Sequence, residues 1–186
     1  MSIGRIRNLF LVTVLFLVSL LEIFCGNFGV VLPLTPALLV YLTLVYGWQT
    51  GLAAALATGV WMDLVYGRSF PVLIPAFFML VAVAWSGRRR GVVELPDVIL
   101  PALGAIGVYE GVLLIAGLAG DGTAAVWELI LQGVWQTALG GVMVFFLSYF
   151  LDKLADRLGL PQCVPEHGTA LRVRAERRRR QPGGRS

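Results

Sequence analysis

Long apolar runs dominate this chain and decide which folds are open to it. A helix that crosses a bilayer needs about 20 apolar residues, within a range of roughly 17 to 25. The first, third, fifth and sixth runs meet that length, whereas prolines near the starts of the second and fourth make them marginal. We predict six spanning helices, with five as the alternative. Bounded by Gly, Pro or Arg, the runs are Leu9 to Cys25, Val30 to Tyr46, Thr50 to Tyr66, Phe70 to Trp85, Val98 to Ala119 and Ala124 to Phe150.

Composition agrees with a membrane location. Hydrophobic residues make up 58% of the chain and charged residues 14%, and the mean hydropathy is +0.80, which lies outside the balance of a soluble globular domain. The sequence therefore predicts an all-α polytopic membrane protein with one integral domain, residues 1–157. The tail, residues 158–186, is basic and rich in Pro, Gly and Arg, a composition typical of disorder.

The basic residues indicate the orientation of the helices. Of the 15 Lys and Arg, 14 lie before the first run, between the fourth and fifth, or after the sixth, and Arg68 alone falls on the other side. By the positive-inside rule, both termini are cytoplasmic. The cluster Arg177 to Arg180 could also lie against anionic lipids, at about 1 kcal/mol per basic residue. We favour a solvated topology anchor there over a segment that binds nucleic acid.

The residues that enzymes of the membrane interior use are missing from the runs. The single histidine, His167, lies in the tail, and the runs contain no serine and histidine pair and no paired histidines. The glycines lie inside apolar runs and not in a phosphate-binding loop between a strand and a helix. Cys25 and Cys163 are predicted on opposite sides of the membrane and cannot form a metal cluster. We therefore predict a protein that is not an enzyme and that binds no cofactor or metal.

Small residues recur every four positions in the third run. Because this spacing places them on one ridge of a helix, it predicts close packing against another helix, for which small residues are a principal means in lipid. We expect the third helix to be the central, protein-buried one. The alternative, that an Ala-rich and Gly-rich helix shows such spacing by composition alone, stays open. This small-residue ridge consists of Gly51, Ala55, Gly59, Asp63 and Gly67.

Asp63 is the one charged residue of that ridge. It precedes the end of the third run by one turn, where the helix dipole disfavours a negative charge by about 0.3–1 kcal/mol. A partner is therefore expected, either Arg68 or the backbone amides around Ser69, where the fourth run begins. A carboxylate that reaches water at the membrane interface is the alternative.

A second polar set lies toward the C-terminus. Glu110 lies near the middle of the fifth run, where a lone carboxylate is expensive, and we expect it to face a polar stripe on the sixth. Hydrogen bonds between the two helices are the favoured interpretation, and a small polar cavity for a ligand or a proton is the alternative. Glu22, late in the first run, is expected at the outer interface. The stripe comprises Glu128, Gln132, Gln136 and Gly140.

Two stretches together resemble the rod shape-determining protein MreD family. The first runs from Pro36 to Tyr46 and begins Pro-Ala-Leu-Leu, and the second, from Gly51 to Phe70, contains Gly59-x-x-x-Asp63-x-x-x-Gly67. The family looks like Pro-x-x-Leu-Leu, an aromatic-ended span, a short turn and Gly-x-x-x-Asp-x-x-x-Gly. Phe70-Pro71 replaces the usual Leu-Gly after this motif, and the basic tail is longer than the family pattern suggests.

This resemblance implies a non-enzymatic scaffold subunit of the bacterial cell-elongation complex in the inner membrane. Proteins similar to this one bind MreC and act with the glycan polymerase, the transpeptidase and, indirectly, MreB in lateral peptidoglycan synthesis and cell shape. The family's fold resembles the substrate-binding component of energy-coupling-factor vitamin transporters, which is the alternative function. Those components typically dock through Ala-x-x-x-Ala on the first span, a pattern that the run from Leu9 to Cys25 lacks.

Overall fold

The computed structural model describes residues 3–28, 30–67, 71–87, 95–121 and 126–161. These residues form an all-helical bundle, and each of the six apolar runs corresponds to one helix. The predicted all-α class is therefore confirmed. The helices are α1 (Ile3–Asn27), α2 (Leu34–Tyr46), α3 (Trp48–Val65), α4 (Leu73–Ser86), α5 (Leu95–Asp121) and α6 (Val126–Arg157).

Three of the described helices are long and apolar enough to cross a membrane, namely α1, α5 and α6. These three helices indicate a membrane protein. α3 has 18 residues but is not among the three, because its Gln, Thr, Asp and Gly residues lower its hydropathy. The third run is thus a weaker candidate for a span than its length suggested. α2 and α4 are apolar but have only 13 and 14 residues.

The central helix of the bundle is α2. Every residue from Leu34 to Leu44 is buried, and the helix contacts each of the other five. The prediction that α3 occupies this place is wrong. Only one face of α3 is buried, and Leu56, Val60 and Leu64 on its other face are exposed. The reason is that α2 is apolar on all sides, as a fully surrounded helix must be, whereas the small residues of α3 line a single face.

The start of α2 lies between the two prolines of the second run. The helix begins at Leu34, directly after Pro33, and no side chain of its own caps it. The amide of Thr35 instead donates a hydrogen bond to the carboxylate of Glu22 in α1. Both prolines are tolerated because the first-turn amides have no partner within the helix.

The end of α6 is closed by a short reversal of the chain. Gly159 adopts φ +64°, and the amide of Leu160 donates to the carbonyl of Ala155 at 2.9 Å. This is the left-handed C-terminal cap for which glycine is favoured. Leu160 is buried, so the reversal brings an apolar side chain back to the bundle. From residue 162 onward, the tail predicted to be disordered lies outside the described residues.

Candidate functional site

The small-residue ridge of α3 lies in the groove between α2 and α4. Gly51, Ala55, Gly59 and Asp63 are all buried. A Cβ at Gly51 would collide with Thr43 Oγ1 of α2 and lie 3.1 Å from Val81 Cγ1 of α4. The ridge therefore allows the backbone of α3 to approach both neighbours closely.

At Gly59 the neighbour is main chain. A Cβ built there would lie 3.1 Å from the Cα of Ile74 and 3.2 Å from its nitrogen. Backbone atoms in the first turn of α4 cannot move aside as a side chain can. Glycine is thus the residue that lets α3 and α4 lie at this separation.

Asp63 joins the same two helices by a hydrogen bond. Its side chain is 5% exposed, and the amide of Leu73, the first residue of α4, donates to it at 3.2 Å from Oδ2 and 3.4 Å from Oδ1. A carboxylate at a helix N-terminus satisfies a free amide and interacts favourably with the dipole. Among the described residues the partner is of the expected kind, an amide near the start of the fourth helix, that of Leu73, and Ser69 itself lies outside the described residues. Arg68, the other expected partner, lies outside the described residues.

Gly67 ends the ridge just past α3. It adopts φ +62°, a left-handed conformation that is costly for other residue types. Its amide donates to the carbonyl of Leu64 at 3.1 Å. Gly67 therefore serves the turn that follows α3 and not a helix contact.

A cavity of about 220 Å³ lies at the end of the bundle that holds the α1–α2 connection, which the charge distribution predicts to be the outer end. We call it the outer cavity. All six helices or the residues next to them contribute to its wall, so it forms only when the whole bundle is assembled. Its polar lining residues are Glu22, Tyr66, Tyr109, Glu110, Gln132 and Gln136.

The outer cavity brings together the residues of the predicted stripe. Glu110 and Gln136 both line it, and α6 passes Glu110 at Gly133, where an added Cβ would lie in ordinary contact, 4.0 Å, with the Cβ of Glu110. Gln136 is 6% exposed, and its Nε2 donates to the carbonyl of Val31 at 3.3 Å. The expected hydrogen bonds between Glu110 and the amides of α6 are not found among the described residues. The carboxylate and the amides share a cavity instead.

Two members of the stripe lie elsewhere. Glu128 is exposed. Gly140 is buried, and a Cβ there would lie 2.9 Å from Ile106 Cδ1 of α5 and 3.4 Å from Pro33. The stripe of α6 is thus divided, with Gln132 and Gln136 at the cavity and Gly140 in a close helix contact.

Glu22, expected at the outer interface, has partners that the sequence did not reveal. It is half-buried at the outer end of the bundle, where it lines the outer cavity and accepts the hydrogen bond from Thr35. The signal was present in the spacing, since Ser19 lies three residues earlier on the same face of α1. Ser19 is buried and lies 3.5 Å from the hydroxyl oxygen of Thr35. The two polar residues of α1 therefore both face the start of α2.

A second contact that the sequence did not reveal joins α2 to α6. The hydroxyl of Tyr41, a residue 1% exposed, donates to Oδ1 of Asp152 at 2.8 Å. The two residues are 111 positions apart, so no local pattern could pair them. The bond stabilises the bundle at the end opposite to the outer cavity.

Comparison with known proteins gives no relative. No family model matches the chain, and no curated protein or solved structure matches it either. Within the described ranges, no three His, Cys, Asp or Glu side chains lie close enough together to hold a metal ion.

Proposed function

We propose that this chain is a non-enzymatic scaffold subunit of a bacterial cell-elongation complex, comparable to the MreD proteins that its sequence resembles. In this proposal it crosses the inner membrane several times and keeps both termini in the cytoplasm. It binds MreC, and through MreC it holds the glycan polymerase, the transpeptidase and the MreB filament in one assembly.

The contact between α3 and α4 is the observation that supports this proposal. Two of the residues that carry the resemblance to MreD act there, Gly59 by close approach and Asp63 by a hydrogen bond across helices, and the third, Gly67, forms the left-handed turn that follows α3. A scaffold requires fixed positions of its helices, and these residues fix two of them.

Co-purification tests the proposal directly. The full-length chain, tagged at one terminus, is produced together with MreC from the same genome and extracted in a mild detergent. We expect MreC to elute with the tagged chain in a constant ratio. The proposal fails if MreC stays in the unbound fraction while the tagged chain elutes alone and folded.

A pair of variants links the binding to the α3–α4 contact. Gly59→Leu places a large side chain against the backbone of Ile74, whereas Gly104→Leu, in α5, faces open space because a Cβ there meets nothing within 4 Å. We expect Gly59→Leu to reduce the recovery of MreC and Gly104→Leu to leave it unchanged. Equal recovery with both variants would show that this contact does not support MreC binding.

A second candidate function, the substrate-binding component of a vitamin transporter, is favoured by the outer cavity. The volume of about 220 Å³ argues against it, because pockets for drug-sized ligands measure roughly 300–1,000 Å³. The genomic neighbourhood separates the two candidates. Adjacent genes for MreB and MreC favour the scaffold, and adjacent genes of vitamin metabolism favour the transporter.

A further inference from the structure

The outer cavity has an unbalanced charge. Two carboxylates, those of Glu22 and Glu110, line it, and its described lining residues include no Lys, Arg or His. Uncompensated carboxylates in an environment of low dielectric are strongly unfavourable. The pair therefore favours an occupant that brings positive charge.

Glu22 and Glu110 are not equivalent. Glu22 accepts a hydrogen bond from the amide of Thr35, so part of its acceptor capacity is used. For Glu110, no hydrogen-bond donor is found within the described part of the chain. Gln136 already donates through Nε2 to Val31, which leaves its side-chain oxygen as an acceptor. The carboxylate of Glu110 and the side-chain oxygen of Gln136 are thus acceptors that a donating ligand can use, and the neutral amide and hydroxyl groups of the wall do not supply the positive charge that the carboxylates lack.

The rest of the wall suits a small cation with a short apolar part. The rings of Tyr66 and Tyr109 line the cavity, and Tyr109 is held in place by stacking on Phe77, with centroids 5.3 Å apart. Aromatic rings attract cations. Leu73 and Leu113 add apolar surface. A volume of about 220 Å³ admits an occupant smaller than the usual drug-sized ligand.

We propose that the outer cavity is a binding site for a small organic cation that carries an ammonium group, with Glu110 as its counter-ion. The amides of Gln132 and Gln136 accept further hydrogen bonds from the ammonium, and the alkyl part packs on the leucines. This activity is separate from the scaffold function, because it requires no partner protein and its carboxylate and amide groups, on Glu110, Gln132 and Gln136, lie on α5 and α6.

Thermal unfolding of the purified full-length protein in detergent tests the proposal. The probe is butylammonium chloride. The comparison compounds are 1-butanol, which has the same shape without charge, sodium butyrate, which has the opposite charge, and sodium chloride and calcium chloride at equal ionic strength. A ligand that binds the folded state raises the unfolding temperature, and the rise grows with the logarithm of its concentration above the dissociation constant. We expect this rise with butylammonium alone.

Two variants assign the effect to the cavity. Glu110→Gln removes the counter-ion, and we expect the butylammonium concentration that gives a set rise in unfolding temperature to increase about tenfold or more, because a charged hydrogen bond is lost. Glu128→Gln removes an exposed carboxylate of α6 that does not line the cavity. We expect it to respond as the wild type does.

The proposal is overturned if butylammonium shifts the unfolding temperature no more than sodium chloride or 1-butanol does, or if calcium alone produces the shift. Retention of the full response by Glu110→Gln overturns it as well. Should that variant fail to fold, carbodiimide labelling of the wild type followed by mass spectrometry gives the answer. The measured quantity is the total modification of each carboxyl, as N-acylurea and as butylamide, because the primary amine also couples to an activated carboxyl. Butylammonium must then slow the total modification of Glu110 and leave that of Glu128 unchanged, and equal rates at Glu110 with and without the amine refute the site.

Discussion

Replacement of Gly59 by alanine tests the packing of α3 on α4 with the addition of one carbon atom. The new Cβ would lie 3.0 Å from Ile74 Cγ1, 3.1 Å from its Cα and 3.2 Å from its nitrogen. Two of these three atoms belong to the backbone, so no rotation of a side chain relieves the contact. The two helices must separate by a few tenths of an ångström, next to the hydrogen bond between Asp63 and α4.

Two opposing terms set the size of the effect. Overpacking of a close contact costs about 1–3 kcal/mol, whereas alanine is favoured over glycine inside a helix by about 0.5–1 kcal/mol. The difference predicts a net loss of roughly 0.5–2 kcal/mol in the free energy of unfolding. A change of 1.4 kcal/mol corresponds to about a factor of ten in the folding equilibrium.

Gly104→Ala is the matched control. It makes the same chemical change inside a helix, but its Cβ would meet nothing within 4 Å, so only the helix preference remains, and a gain of up to about 1 kcal/mol is expected. Unfolding of the full-length chain by increasing mole fractions of sodium dodecyl sulfate, followed by circular dichroism, measures both. The two variants should differ by roughly 1–3 kcal/mol. If Gly59→Ala is as stable as Gly104→Ala, the contact is looser than the structure shows and the reasoning is refuted.

Three further predictions follow from the helix contacts, with stability measured as above. Gly51→Ala should destabilise the protein by about 1–3 kcal/mol. Its combination with Thr43→Ala should recover at least about 0.5 kcal/mol of this loss, and costs of the two substitutions that simply add would contradict the contact between these residues. Asp63→Ala should cost about 1–3 kcal/mol by leaving a buried amide without its acceptor, while Asp63→Asn, which keeps an acceptor oxygen, should cost less. Tyr41→Phe should cost about 1.5–3 kcal/mol, the value of a hydrogen bond to a charged group, whereas Tyr46→Phe should be close to neutral, because no donor or acceptor within the described residues pairs with its buried hydroxyl. Equal costs for the two tyrosines would argue against the bond to α6.

The helices themselves could be predicted from the sequence, because apolar runs separated by Gly, Pro and Arg are a local property. The need of Asp63 for a partner was equally local, since a carboxylate near the end of an apolar helix is unfavourable unless it is bonded. Asp63 accepts a hydrogen bond from an amide at the start of α4 because the connection between α3 and α4 is short. These features require knowledge only of neighbouring segments.

Features that depend on which helices meet could not be predicted in this way. The ridge of α3 indicated a packing face correctly, but not that α2 would be the surrounded helix, because a small-residue pattern shows how closely a helix can approach and not how many neighbours it has. The bond from Tyr41 to Asp152 and the position of Glu22 beside Thr35 could not be predicted for the same reason. Each joins residues in different helices, and periodicity identifies a face without naming what lies opposite.

Three carboxylates of the described helices can be compared by whether they bond to the start of a short helix. A helix of 13 or 14 residues is about 20 Å long, less than the roughly 30 Å of the hydrocarbon core, so the free amides at its start can lie at a depth where water is scarce. Neither α2 nor α4 has a side-chain cap of its own. In both cases the preceding helix supplies the acceptor, Glu22 for α2 and Asp63 for α4. Within the described helices, Glu110 bonds to no helix start. Among these three carboxylates it is therefore the one whose position, on the outer cavity, is explained by a bound cation and not by packing.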